Sequence, residues 1–527
     1  MAAMRCRANI RGQATHVSGG RVGGALERVK AGGDQTRAEW HGAAAPWRRP
    51  VVGLLLVAIA FTAVQVIAVP LRLPLGWDEV VYASQASVHA PSAYFSAPRA
   101  RGISVLATPA VALTSSTMVL RAWMSLLAGA GLVAAYWPWR RLLPGPVVVG
   151  AAACFASLWV VQFYADEVMP NLYVAYGTVA AVGWFLHAVS GPQRTRGALL
   201  ALAASIAFTA LVRPADAVFL ALALLAAALA VRAWRQLRGV LAVLGGLAAG
   251  LLPWIVEAYA RFGGPLARLR GGSDAQGGMH WTLAGVSTQL RALNGPMLCR
   301  PCEKTWAYPA LSLWWFATPV LAAAGLLLAA RARRAAPARL AVLALPTACA
   351  LAVSVQYLFL LDYAAPRFLM PVYALLALPV AACAVGIARA APDRWRPAVA
   401  AVLTLVFTAH VASQYLVLHR RTADQTRSRA ALVQIADRLA GAGLRPPCTL
   451  TGADPVQMAY YAGCSSQTPT GTSAFTATST VRQAVAEPAG QSPPDYTRDW
   501  TTCSITLPDS TVWHLYLAPS PGFSWHC

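Results

Sequence analysis

Repeated uncharged apolar runs, each about 20 residues long, constrain this chain more than any other feature. A run of that length crosses the hydrocarbon of a bilayer as an α-helix, and about eleven such runs exceed what any single soluble core absorbs. Composition agrees: of 527 residues, 57% are hydrophobic and 12% are charged. A formal net charge of +23 would point to nucleic acid in a soluble protein. Here the arginines gather in short tracts between apolar runs, so the charge reports membrane topology and implies no nucleic-acid partner.

Residues 1–49 are polar and rich in Gly and Arg, and too long for the charged region of a cleavable signal; they are expected to form a disordered basic cytoplasmic tail. The Arg48-Arg49 pair precedes the first span, 51–70, and holds the N-terminus inside. Further spans are expected at 118–139, 147–164 and 169–189, up to Arg213, up to the Arg232, Arg235 and Arg238 tract, and at 239–259, 309–330, 338–361, 367–389 and 397–417. One phasing then puts Arg140 and Arg141, Arg194 and Arg196, the tract Arg331, Arg333, Arg334 and Arg339, and the tract Arg389, Arg394 and Arg396 on the inner side. The stretch 102–117, with Pro109 and several Ser and Thr, reads as an interfacial helix.

The expected architecture is an all-α polytopic membrane region at 50–417, with external loops 71–117 and 261–308, in the plasma membrane. A small extracytoplasmic α/β domain is expected at 418–527, where the chain turns polar. Its signals are an amphipathic stretch at 430–444 and strand-like runs near 448–451 and 512–517. Cys299, Cys302, Cys448, Cys464, Cys503 and Cys527 fall outside under this topology, and an even number in an oxidising compartment suggests disulfides. Cys299-Arg-Pro-Cys302 also has the spacing of half a zinc site or a redox motif. No second CxxC and no thioredoxin-like βαβ pattern accompanies it, which favours a structural disulfide.

The acids of 50–417 are Asp78, Glu79, Asp166, Glu167, Asp216, Glu257, Asp274, Glu303, Asp362 and Asp393, and under the same phasing all but Asp393 fall outside. Asp78-Glu79 follows the first span and Asp166-Glu167 the third, each pair among aromatic and apolar neighbours that raise carboxylate basicity by desolvation. Arg99, Arg101, Arg213 and Arg367 lie at comparable depth, with Tyr82 and Asn171 close in sequence to the acids. Arginine presents a planar fork suited to phosphate oxygens. Carboxylates and arginines at an external membrane face suit transfer of a sugar from a polyprenyl phosphate, which needs a base for the acceptor hydroxyl and cations for the departing phosphate. A hydrated helix end is the plainer account of each acid, and lipid-headgroup pairing that of each arginine. His89 and His280 read as ordinary loop histidines.

The Asp78-Glu79 pair in the first external loop, the Asp166-Glu167 pair after the third span, Leu-Val-Arg213-Pro, and Pro-Arg367-Phe-Leu-Met-Pro-Val-Tyr together resemble the GT-C superfamily of lipid-linked-sugar glycosyltransferases. Within it the chain looks most like an actinobacterial form of the protein mannosyltransferase and aminoarabinose transferase branch, over roughly residues 50–390. The resemblance implies an inverting transfer of a hexosyl or pentosyl group, mannose or another polyprenyl-phosphate-linked sugar, to an extracytoplasmic protein, lipid or glycan. It implies Asp78 as general base with Glu79 beside it, and a donor and acceptor site lined by Asp166, Glu167, Tyr82, Asn171 and the arginines. Those relatives carry a His-Pro-Pro-Leu type segment late in the first loop, where this chain has Ser-Ala-Pro-Arg99-Ala-Arg101-Gly; the two arginines are placed to take over phosphate contact. A divalent cation is used by some relatives and not by others, and paired carboxylates fit both cases. A transporter or lipid flippase and a non-catalytic membrane scaffold stand as the alternatives.

Overall fold

The computed structural model describes residues 50–190, 196–332, 337–467, 481–520 and 524–526. The tail at 1–49, Arg194, Arg333, Arg334 and Cys527 lie outside them. From Pro50 onward the chain is one compact unit.

The apolar runs form helices, and proline opens several of them, where its missing N–H costs nothing. The helices are α1 Pro50–Ala68, α2 Trp77–Ala83, α3 Gly102–Val111, α4 Thr117–Tyr136, α5 Gly145–Ala156, α6 Trp159–Phe163, α7 Pro170–Ser190, α8 Arg196–Val212, α9 Pro214–Ala230, α10 Leu237–Arg261, α11 Pro265–Ala275, α12 Ala284–Ala292, α13 Leu313–Arg331, α14 Pro337–Phe359, α15 Met370–Ala390, α16 Arg396–Gly441 and α17 Pro455–Ala462. Among the described residues, eight helices are long and apolar enough to cross a membrane. The spans expected near 147–164, before Arg213 and before Arg232 correspond to shorter helices: α5 and α6 broken at Ser157 and Leu158, then α8 and α9 of 17 residues each.

Burial sorts the bundle. The α7 window is 83% buried and that at α15 78%, so these two form its centre, while α10, α13 and α16 are about one-fifth buried over theirs. Exposed Leu55, Ile59 and Ile67 on α1 and Val402, Leu405 and Val406 on α16 are the apolar outer surface that a bilayer solvates. Helices α8 and α10 pack along small residues: a methyl group on Gly246 or Gly250 would overlap the α8 backbone at Ala203 and Ala207. Such close approach substitutes for the hydrophobic drive that lipid does not provide.

Helix α16 is 46 residues long, or about 69 Å at 1.5 Å per residue, roughly twice the hydrocarbon thickness of a bilayer. It does not stop at 417, where the span was expected to end, and its last turns carry Leu432, Ile435 and Leu439 into a second core. That core belongs to a five-stranded mixed sheet, order β2-β1-β3-β5-β4, with β1 Cys448–Gly452, β2 Ser465–Ser466, β3 Arg482–Pro488, β4 Thr501–Thr506 and β5 Val512–Leu517. β1 is parallel to β2 and β3; β5 is antiparallel to β3 and β4. Disulfides join Cys299 to Cys302 and Cys448 to Cys464, and Cys503 is also disulfide-bonded.

Candidate active site

Helix α2 is just under two turns long and carries Asp78 and Glu79 in its first turn, where the helix dipole favours negative charge. Successive residues differ by about 100° around the axis, so the two adjacent carboxylates point apart. Their environments are correspondingly different.

Asp78 keeps 32% of its side chain exposed and lies between two guanidinium groups. Arg99 Nη2 donates to one carboxylate oxygen at 2.7 Å and Arg367 Nη2 to the other at 3.0 Å. Burial alone would raise the Asp78 carboxyl, but Arg99, Arg367 and Arg213 outweigh it and hold it below the usual carboxylate range. Arg99 is braced by Ser96 and lies 5.1 Å over the Tyr82 ring, and Tyr82 itself is buried. Arg367, in the turn leading into α15, is fixed by the Tyr164 hydroxyl at 3.1 Å and the Met297 carbonyl at 2.9 Å. Arg213 directs Nε to Asp216 at 3.1 Å, and Asp216 is itself held by the Tyr357 hydroxyl. Among the described residues no hydrogen bond is made by the two Nη groups of Arg213. Asp78, Arg99, Arg213, Arg367 and Tyr82 therefore share one partly open site with a surplus of positive charge.

Glu79 is 1% exposed and accepts from five donors: both Nη groups of Arg121 at 2.9 Å, Arg429 Nη1 at 2.9 Å, and the backbone N–H groups of Gly76 and Val168 at 2.9 and 3.0 Å. The expectation that Glu79 works beside Asp78 on substrate meets a physical obstacle, since no lone pair is left to offer. The second acidic pair joins the same buried cluster. Asp166 lies 3.4 Å from Arg121, and Glu167 accepts from Arg429 at 2.7 Å. Burial, then the Glu79 charge, push the Glu167 carboxyl up to about 7; burial does the same for Asp166 against the pull of Arg121. Three carboxylates thus face two guanidiniums, so their charges are not fully balanced within the cluster.

The remaining candidates are placed elsewhere. Arg101 is committed to Glu257 at 2.6 Å and Gln85 at 2.7 Å, and stacks on Phe95. Asn171 is buried at the start of α7, with its amide oxygen unpartnered among the described residues. His89 packs against Tyr460, and His280 bonds the Gly278 carbonyl. No group of three or more His, Cys, Asp or Glu among the described residues is placed to hold a metal, and both Asp78 oxygens already accept from arginine. This donor set does not fit a divalent cation. Two functional-site neighbours escaped the sequence reading. Arg121 had a signal, a lone cation inside an apolar span; Arg429, one of several arginines in an amphipathic stretch, had none.

The fold defines the class: a polytopic membrane protein, mostly helical, with a small sheet domain at its C-terminal end. The chain is similar to ArnT from Cupriavidus metallidurans bound to undecaprenyl phosphate, with a TM-score of 0.62 at 13% identity over 87% of this chain and 97% of that one. The same protein in its apo state gives 0.61 with the same coverage. More distant is the archaeal oligosaccharyltransferase AglB from Archaeoglobus fulgidus, in complex with an inhibitory peptide and a dolichol-phosphate, at 0.48, 13% identity, 89% of this chain and 74% of that one. No family model and no curated protein matches the sequence.

Proposed function

We propose that the protein is a membrane glycosyltransferase that moves a hexosyl or pentosyl group from a polyprenyl-phosphate donor to an acceptor on the extracytoplasmic face, with inversion. The observation that carries this reading is Asp78, a partly exposed carboxylate bracketed by Arg99 and Arg367, with Arg213 beside them. The fold shared with a protein seen bound to undecaprenyl phosphate supports the donor class. The acid-bearing loops then face outward, as the arginine tracts at the opposite helix ends require, with the N-terminus in the cytoplasm.

In the reaction the acceptor hydroxyl gives its proton to Asp78 as its oxygen bonds the anomeric carbon. The bond from that carbon to the phosphate oxygen breaks, and the lipid phosphate leaves with the electron pair. Arg213 offers its unoccupied fork to that phosphate, and Arg367 and Arg99 add positive charge where negative charge accumulates. Glu79, Asp166 and Glu167 serve as the scaffold of the Asp78 loop, and Arg101 ties that loop to α10 through Glu257.

The test uses purified full-length protein in nanodiscs with a panel of undecaprenyl-phosphate hexoses and pentoses and a membrane extract as acceptor source. Transfer that requires Asp78, together with binding of undecaprenyl phosphate that weakens in Arg213→Ala and Arg367→Ala, supports the reading. Solute flux in proteoliposomes without transfer from any donor would replace it with transport.

A further inference from the structure

Helix α2 cannot hold its own position. Seven residues make fewer than two turns, far below the length at which a helix is stable alone, and its N-cap is Gly76, which has no side chain to cap with. Something outside must set the direction in which Asp78 points. Part of that grip comes from Arg121 on α4, and part from the far end of the chain.

Arg429, late in α16, makes hydrogen bonds with four residues. Nη1 donates to the Pro74 carbonyl at 3.0 Å and to Glu79 at 2.9 Å, Nη2 to Glu167 at 2.7 Å, and Nε to Gln425 at 3.0 Å. The guanidinium lies directly over Gly76, where a Cβ would stand 3.0 Å from Nη2 and 3.1 Å from Cζ. Helix α17 adds a second contact to the same stretch: the Tyr461 hydroxyl accepts from the Leu75 N–H at 2.7 Å. Tyr460 packs against His89 just beyond α2. So Pro74, Leu75 and Glu79 are each held by a group of the C-terminal part, beside Arg121, which donates to Leu73, Pro74 and both oxygens of Glu79; Glu79 is the immediate neighbour of Asp78.

We propose that Arg429 is a positioning residue for Asp78, through which the C-terminal domain fixes the angle of α2 and the aim of the Asp78 carboxylate. The inference rests on the reading of Asp78 as the base. It assigns the domain a role in rate rather than in donor binding, because Arg99, Arg213 and Arg367 make no contact with Arg429. The charged and titratable groups around Arg429 are Glu79 on α2, Arg121 on α4, and Tyr164, Asp166 and Glu167 between α6 and α7, with Tyr461 on α17 close by. Removing the Arg429 charge leaves three buried acids facing Arg121 alone.

The experiment compares Arg429→Gln, Glu167→Gln with Arg429→Gln, Tyr461→Phe and Asp78→Asn in the full chain. Each is assayed for sugar transfer from undecaprenyl-phosphate sugars, for binding of undecaprenyl phosphate and for melting. A displacement of about 1 Å at a reacting group costs on the order of 100-fold, so Arg429→Gln should lower kcat by about that factor. Donor KM and undecaprenyl phosphate affinity should stay within about threefold. Neutralising Glu167 in the same chain restores the charge balance of the cluster and should recover kcat about tenfold, which a general loss of folding would not allow. Tyr461→Phe, which removes the hydrogen bonds of the Tyr461 hydroxyl with Leu75 and Thr117, keeps the test decisive if Arg429→Gln does not fold, and should lower kcat about threefold or more. Folded Arg429→Gln, or Tyr461→Phe in its place, with wild-type kcat while Asp78→Asn is inactive would overturn the positioning role and leave the base assignment standing. An active Asp78→Asn would overturn both.

Discussion

Replacing Asp78 by Asn removes the proton acceptor while keeping the shape of the side chain. Loss of a general base lowers rate by about 10²- to 10⁴-fold, equivalent to about 2.7–5.4 kcal/mol of barrier at 1.36 kcal/mol per decade. Stability should change far less. Asp78 keeps 32% of its side chain exposed while Arg99 and Arg367 are mostly buried, so these ion pairs lie between an exposed pair, worth about 1 kcal/mol or less, and a fully buried one. The amide retains one acceptor for two guanidinium groups, so one arginine loses its partner, and a small fall in melting temperature is the expected accompaniment. Initial rates of transfer and thermal melting on the same nanodisc preparation separate the two effects. The wild-type pH profile adds a signed check. Burial raises the Asp78 carboxyl but the arginines outweigh it, so the base form persists to unusually low pH. The acid limb of kcat/KM, which reports the free enzyme, should therefore fall below about pH 4, the ordinary carboxylate value. Folded Asp78→Asn within about threefold of wild type would refute the base assignment, since no general base costs so little.

Arg213→Ala and Arg367→Ala should each weaken undecaprenyl phosphate binding about 10- to 100-fold, the worth of a charge-assisted hydrogen bond at about 1.5–3 kcal/mol; native mass spectrometry or a thermal-shift titration reads it. Glu79→Gln leaves Arg121 and Arg429 buried with a partner removed, and should cost about 3–5 kcal/mol of stability, seen as a lower denaturant midpoint with the surviving folded fraction still binding undecaprenyl phosphate. Asp166 and Glu167, pushed up to about 7 in the folded protein, retain protons there that the unfolded chain releases near pH 4. The stabilisation from their raised pKa is full below about pH 4 and is lost as pH rises through about 7, so melting temperature should fall between about pH 5 and 8. Asp166→Asn with Glu167→Gln should flatten that slope.

What the chain decided locally was visible in its sequence. Membrane thickness sets a length, about 20 apolar residues, that any spanning helix must meet, and each stretch meets it alone. The helices therefore fall near the expected positions, except where α5 and α6 break at Ser157 and where α8 and α9 fall slightly short. Strand-like runs near 448–451 and 512–517 likewise marked β1 and β5. The extent of α16 was hidden because leaving the bilayer changes which residues are polar without ending the helix. Sequence order brought Asp78 and Glu79 forward as one candidate pair, and tertiary structure separated them. Glu79 meets Arg121, 42 residues away, and Arg429, 350 residues away; Asp78 meets Arg367, 289 residues away. An apolar run is selected by a medium that acts on each residue in turn. A charge acquires its role from whichever opposite charge the packed chain brings within about 3 Å, and such a pairing leaves no local pattern to read.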